Sequence, residues 1–131
     1  MNYNSKNEVI VDYIKILYAV FAEELRNKNS RDTTHDVMAF FSYWKRNKEV
    51  LYLLDKSGLF PILLDEFENL IGETDLFDFH ILVGYDVPME QKHYVTSAIA
   101  AMLWRVLKEW KQNGMPEKPE TIAILFSRLI V

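Results

Sequence analysis

Asp75, Asp78 and His80 form the one tight cluster of ligand-type side chains in this chain of 131 residues. Two carboxylates and an imidazole are a donor set that can hold a divalent metal. The spacing fits no defined metal-binding pattern, and the other histidines, His35 and His93, lie far away in sequence. A polar loop in an acidic chain yields such a triplet without a metal, so a solvated loop is the stronger reading, and no metal or cofactor is expected. Nucleophilic catalysis finds no better footing, since neither a Gly-x-Ser-x-Gly elbow nor a Ser-x-x-Lys pair occurs in a suitable context. Only four glycines are present, none near another, which leaves no glycine-rich loop to cradle phosphate. The chain is not expected to be an enzyme.

The remaining chemistry is aromatic. Tyr13, Tyr18, Phe21, Phe40, Phe41, Tyr43, Trp44, Tyr52, Phe60, Phe67, Phe77 and Phe79 fall on several segments. Rings at helical spacing are core by default, and that reading holds first for Phe21, Phe40 and Phe67. A small-molecule pocket between helices draws on the same residue types plus a few polar groups that orient the ligand. For such a pocket the candidates are Tyr13, Phe21, Phe41, Tyr43, Trp44, Tyr52, Phe67 and His80, with Tyr43, Tyr52 and His80 as the polar anchors.

The elements that would position these side chains read as helices. Ser5 caps a first helix over about Lys6 to Lys28, with Glu8 completing a capping box and a stripe through Ile10, Ile14, Leu17, Phe21 and Leu25. Asp32 or Thr33 opens a second helix with Val37, Phe40, Phe41 and Trp44. The charged break Lys45 to Lys48 precedes a short third helix with Val50, Leu51, Leu53 and Leu54, which Gly58 ends. Pro61 suits the first turn of a fourth, with Leu63, Leu64, Phe67, Leu70 and Ile71 as its apolar set. Residues 73–88 are a loop with one helical turn or a short extended piece. Val95, Ile99, Leu103, Val106 and Trp110 then recur at steps of four, four, three and four, one face of a helix that Gly114 stops. Pro119 and Glu120 open a last helix, Thr121 to Val131, apolar on almost every side. Lys118 stands where a serine-type cap would suit it, which weakens that start or moves it toward Glu117. The expected fold is all-α: a single-domain bundle of about six helices spanning residues 1–131.

This pattern resembles the C-terminal regulatory domain of TetR-family transcription repressors. The tail carries the resemblance, with Lys108-Glu109-Trp110 and Asn113-Gly114 closing a long helix and Pro119-Glu120 opening the last. A middle segment adds to it: Phe40, Phe41, Tyr43, Trp44, Asn47, Lys48, Leu51, Tyr52, Leu54, Gly58 and Leu59. Asn2 to Ile10 looks like the junction that follows the family's recognition helix, and about forty-five residues of helix-turn-helix would precede Asn2. The expectation is a regulatory domain trimmed from its DNA reader, residues 1–8 being the junction; a natural reader-less relative is the other possibility. The resemblance implies a small-molecule effector bound between helices, whose arrival moves the connecting helix Lys6 to Lys28. It implies a homodimer through the last two helices, here Ile99, Met102, Val106, Ile122, Leu125, Phe126 and Leu129. Ser97, Ala98, Ala100 and Ala101 would let a second helix approach closely. The alternative is a standalone helical protein-interaction module without a small-molecule ligand.

Composition fits one folded domain, with half of the residues hydrophobic and 14% aromatic. A net charge of −4 and a pI near 5.4 argue against nucleic acid as a partner of this chain alone, because a DNA-binding domain has a pI above about 9. Cysteine is absent and no apolar stretch is long enough for a membrane span, so the expected location is the cytoplasm, away from membranes.

Overall fold

The computed structural model of the protein describes residues 6–26, 33–73 and 88–129. These form six α-helices: α1 (Lys6–Arg26), α2 (Thr33–Arg46), α3 (Lys48–Lys56), α4 (Phe60–Glu73), α5 (Lys92–Gln112) and α6 (Pro119–Leu129). A 3-10 turn, Met89–Gln91, leads into α5, and the described residues include no strand. The all-α bundle expected from the periodicities is therefore what forms. Asp75, Asp78 and His80 lie outside the described residues, as do Ser5 and Asp32.

The junctions between described residues have local causes. Between α2 and α3 the break is narrower than the charged run Lys45 to Lys48 suggests, because Lys45 and Arg46 stay helical and Asn47 alone leaves the helix. The Asn47 backbone N–H and side-chain amide both donate to the Tyr43 carbonyl, at 3.0 and 2.8 Å. Gly58, at φ +76°, ends α3. Its N–H donates to Asp55 O at 3.0 Å and that of Leu59 to Leu54 O at 2.9 Å, the paired bonds that satisfy carbonyls left open at a helix end. The fourth helix starts at Phe60, with Pro61 in the first turn, where its missing N–H costs nothing.

The same device closes α5. Gly114 has φ +84°, its N–H donates to Lys111 O at 3.0 Å, and Met115 N–H donates to Trp110 O at 2.9 Å. Met115 is itself left-handed, at φ 54°, and its side chain is buried in the core. Burial of the thioether holds a backbone conformation that a free methionine avoids. The start of α6 has not moved to Glu117: the helix begins at Pro119, and the Lys118 carbonyl accepts the N–H groups of Thr121 and Ile122 at 3.0 and 3.3 Å.

Helix α2 lies along α6, α4 along α5, and α1 against α4. The buried stripe of α1 is Ile14, Tyr18, Phe21 and Leu25, with Ile10 and Leu17 half-buried beside it. On α4 the buried positions are Leu63, Phe67 and Ile71, and on α5 they are Ile99, Ala100, Leu103, Trp104, Leu107, Trp110 and Lys111.

An alanine side chain at position 114 meets no atom within 4 Å, so the cost of Gly114→Ala is backbone strain alone. Left-handed backbone at a residue with Cβ costs about 1–2 kcal/mol. The thermal midpoint of the variant should fall by about 4–7 °C, as read by circular dichroism.

Candidate functional site

Trp104 of α5 stands among five rings delivered by three other helices. Tyr18 comes from α1, Phe40 and Trp44 from α2, and Phe60 and Phe67 from α4, with ring centroids 5.3–6.5 Å away. All five meet it edge to face, the arrangement that ring quadrupoles favour. A second layer extends from this centre. Phe21 meets Phe40 and Tyr43, Phe40 meets Phe41 and Phe67, and Phe41 reaches Trp110 and Phe126.

Two phenols tie the cluster to the backbone. Tyr18 Oη donates to Leu63 O at 2.6 Å, joining α1 to α4, and Tyr43 Oη donates to Leu17 O at 3.0 Å, joining α2 to α1. Burial pushes the Tyr18 phenol well above its ordinary range, with Tyr43 and Glu66 adding to the effect. Tyr43 is pushed up to about 12, first by burial and then by the Glu24 carboxylate, partly offset by Arg46. Two other buried polar atoms have no such outlet, since neither Trp104 Nε1 nor Trp110 Nε1 has a hydrogen-bond partner among the described residues.

The pocket candidates separate on this frame. Phe21, Phe41, Tyr43, Trp44 and Phe67 are buried and belong to the one cluster. Tyr13 is exposed on the opposite side of α1. Tyr52 is exposed on α3, where its hydroxyl donates to Lys111 O at 2.6 Å and its ring lies 4.7 Å from Lys111 Nζ. Both tyrosines proposed as ligand anchors, Tyr43 and Tyr52, thus hold the protein to itself, and His80 lies outside the described residues. Sequence reading missed Trp104, which is off the α5 stripe, and Tyr18, which it took only as one ring among many. It did not single out the burial of Lys111. Lys111 is buried, its Nζ 2.7 Å from Asp55 Oδ2.

The residues expected at a dimer contact divide as well. Ile99, Ile122 and Phe126 are buried within this one chain, and Val106 is half-buried against the core. Met102 (38%), Leu125 (54%) and Leu129 (60%) are exposed, and Ile124 joins the last two on the open side of α6. Ala100 is buried, whereas Ser97, Ala98 and Ala101 remain at the surface. A further exposed stripe, not anticipated, is Val9, Tyr13, Ile16 and Val20 along α1. Their steps of four, three and four put them on one helical face.

Among the described residues no group of three or more His, Asp and Glu side chains could hold a metal ion. No described helix is long and apolar enough to cross a membrane. Residues 32–131 match the family model for the transcriptional regulator C-terminal region of the TetR type. The chain belongs to that family. No curated protein and no solved structure matches it. The TetR-type match begins at the foot of α2 and runs to the end of the chain, so it covers four of the five rings around Trp104 and leaves out α1, which supplies Tyr18.

The phenols set an alkaline limit on stability. Folded pKa values raised above the unfolded value of 10 leave stability fully present below about pH 10, and it falls as the unfolded tyrosines ionise while the folded ones keep their protons. The loss is up to about 1.4 kcal/mol per pH unit for Tyr18, and less for the part-buried Tyr43 hydroxyl. Thermal melts from pH 7 to 12 should therefore be level up to about 10 and then drop. The drop should be visibly shallower in Tyr18→Phe, and a drop of equal slope in that variant contradicts the assignment.

Proposed function

We propose that this TetR-type domain senses a small-molecule effector in its aromatic centre, pairs with a second copy of itself, and so controls a DNA-binding domain that lies outside these 131 residues. It acts in the cytoplasm and catalyses no reaction. The observation that carries the reading is the cluster around Trp104, where α1, α2, α4 and α5 each place a ring against a common centre. A ligand that shifts those rings acts directly on α1, because Tyr18 and Tyr43 bond α1 to α4 and α2 through single hydroxyls. Helix α1 is the connecting helix in the family to which the chain is similar, and a displacement there is the signal a reader domain would receive.

Pairing rests on the open side of α6. Ile124, Leu125 and Leu129 stand together on one helix in a chain whose other apolar residues of this size are mostly covered. With Met102 on α5 they supply the apolar surface that a two-fold contact would remove from water, each fully buried side chain contributing about 1.5–3 kcal/mol. The stripe Val9, Tyr13, Ile16 and Val20 favours a second reading, a helical module that works through protein contacts without an effector.

Two measurements test this. Light scattering at tens of micromolar should give a dimeric mass, and Leu125→Glu should weaken self-association at least about a hundredfold while the helical spectrum is kept, since that side chain already faces solvent. Phe126→Glu, one residue along and buried, should unfold the chain. A monomeric wild type removes the pairing claim. For sensing, titration with naphthalene, indole and flavone should give a saturable change in tryptophan fluorescence and a rise in thermal midpoint, about 2.7 kcal/mol of stabilisation at a hundredfold excess over Kd. Silence from all three, with a dimeric mass intact, favours the interaction module.

A further inference from the structure

We infer that the effector is an uncharged, planar molecule carrying a hydrogen-bond acceptor, such as an aryl ketone, quinone or lactone, and that Trp104 Nε1–H donates to that acceptor. The inference rests on the sensing role proposed above and assigns its specificity contact.

Trp104 is 1% exposed, and its indole nitrogen has no hydrogen-bond partner among the described residues. A buried donor left without an acceptor costs about 1–3 kcal/mol, a cost that proteins carry where a function uses it. The neighbouring polar groups show how the rest of the centre avoids that cost: Tyr18 Oη and Tyr43 Oη each reach a backbone carbonyl. The Trp104 indole N–H is the buried donor of this centre that has no acceptor among the described residues. Trp110 is the other unpartnered indole, but it faces the α6 end of the core through Phe41, with Lys45 Nζ 5.8 Å from its ring at the protein edge.

The shell round Trp104 also defines what can enter. It consists of ring edges and faces, which stack or tilt against a flat ligand and offer no counter-charge, so an ionised ligand would lose its hydration without replacement. Four of its five rings are fully enclosed, whereas Phe60 is half-buried. Phe60 is the first residue of α4, directly after the left-handed Gly58 turn, and Lys108 Nζ lies 5.7 Å from its ring. Phe60 is therefore the least covered ring of the shell.

1-Indanone and indane are the probes, two molecules of nearly one shape that differ by a carbonyl. In the full chain labelled with nitrogen-15, 1-indanone should move the Trp104 indole N–H resonance downfield, and indane should not. By fluorescence titration, the preference of the wild type for 1-indanone over indane should fall at least about tenfold in Trp104→Phe. Should that variant fail to fold, replacement of Trp104 by the donorless isostere 3-benzothienylalanine gives the same comparison at constant volume. A Trp104 resonance that stays in place with 1-indanone bound, or a preference unchanged in the donorless variant, overturns the inference and leaves the sensing role standing. If neither molecule binds, the inference falls, and the effector reading is decided by the naphthalene, indole and flavone titrations. An indole N–H held by the π face of a neighbouring ring is covered by the first of these results, because its resonance would lie upfield and ignore the ketone.

Discussion

The fold depends on enclosing one indole. Trp104 projects from α5 into a space that no single neighbouring helix could fill, and closing it takes Tyr18 from α1, Phe40 and Trp44 from α2, and Phe60 and Phe67 from α4. Edge-to-face pairs contribute about 0.5–1.5 kcal/mol each beyond burial, and they are directional, so they fix how the helices are rotated as well as how close they come. An aliphatic core of equal volume would bury comparable area yet leave those rotations freer. Trp104 therefore joins two tasks in one side chain: it sets the geometry of the bundle, and it leaves a polar atom unsatisfied at the place where all four helices meet.

The far end of α5 is held by a different kind of contact. Lys111 is buried against Asp55 of α3, its ammonium lies over the Tyr52 ring, and the Tyr52 hydroxyl returns to the Lys111 carbonyl. Taking a cation out of water is costly, and a buried pair in isolation is weak evidence of stability. Here three contacts converge on one residue, and they sit beside the Gly114 turn, whose bonds end the helix at the carbonyls of Trp110 and Lys111. The surface pair Arg46 and Glu24, at 2.8 Å with both side chains well exposed, contributes far less despite its similar length. Helix α5 is thus clamped at its C-terminal end and packed by rings at its middle.

Much of this was legible in the sequence, and the exceptions have physical causes. Periodicity located the six described helices, and the chemistry of Gly58, Gly114 and Pro119 located the ends of α3 and α5 and the start of α6, because those signals are local and the backbone answers to them directly. The aromatic centre was legible as a set of residue types: Phe21, Phe41, Tyr43, Trp44 and Phe67 do come together. Its central member was not. Trp104 follows Leu103, one step round the helix from the stripe Val95, Ile99, Leu103, Val106 and Trp110, and a one-face reading leaves such a position on the flank. Helix α5 in fact buries a broader arc, since α4 packs along it while rings from α1 and α2 reach its Trp104.

The last helix shows the limit of the same argument. Ile122, Ile124, Leu125, Phe126 and Leu129 surround α6 so fully that periodicity assigns no inside, and only the packing of α2 decides it. Once α2 covers Ile122, Ala123 and Phe126, the face that carries Ile124, Leu125 and Leu129 is fixed as the outer one. Among the described residues the cover on α6 comes from α2, and the apolar residues outside that flank stand beside the exposed Thr121 and Arg128. The apolar excess that made the sequence ambiguous is therefore the same quantity that leaves Ile124, Leu125 and Leu129 exposed on the outer face of α6.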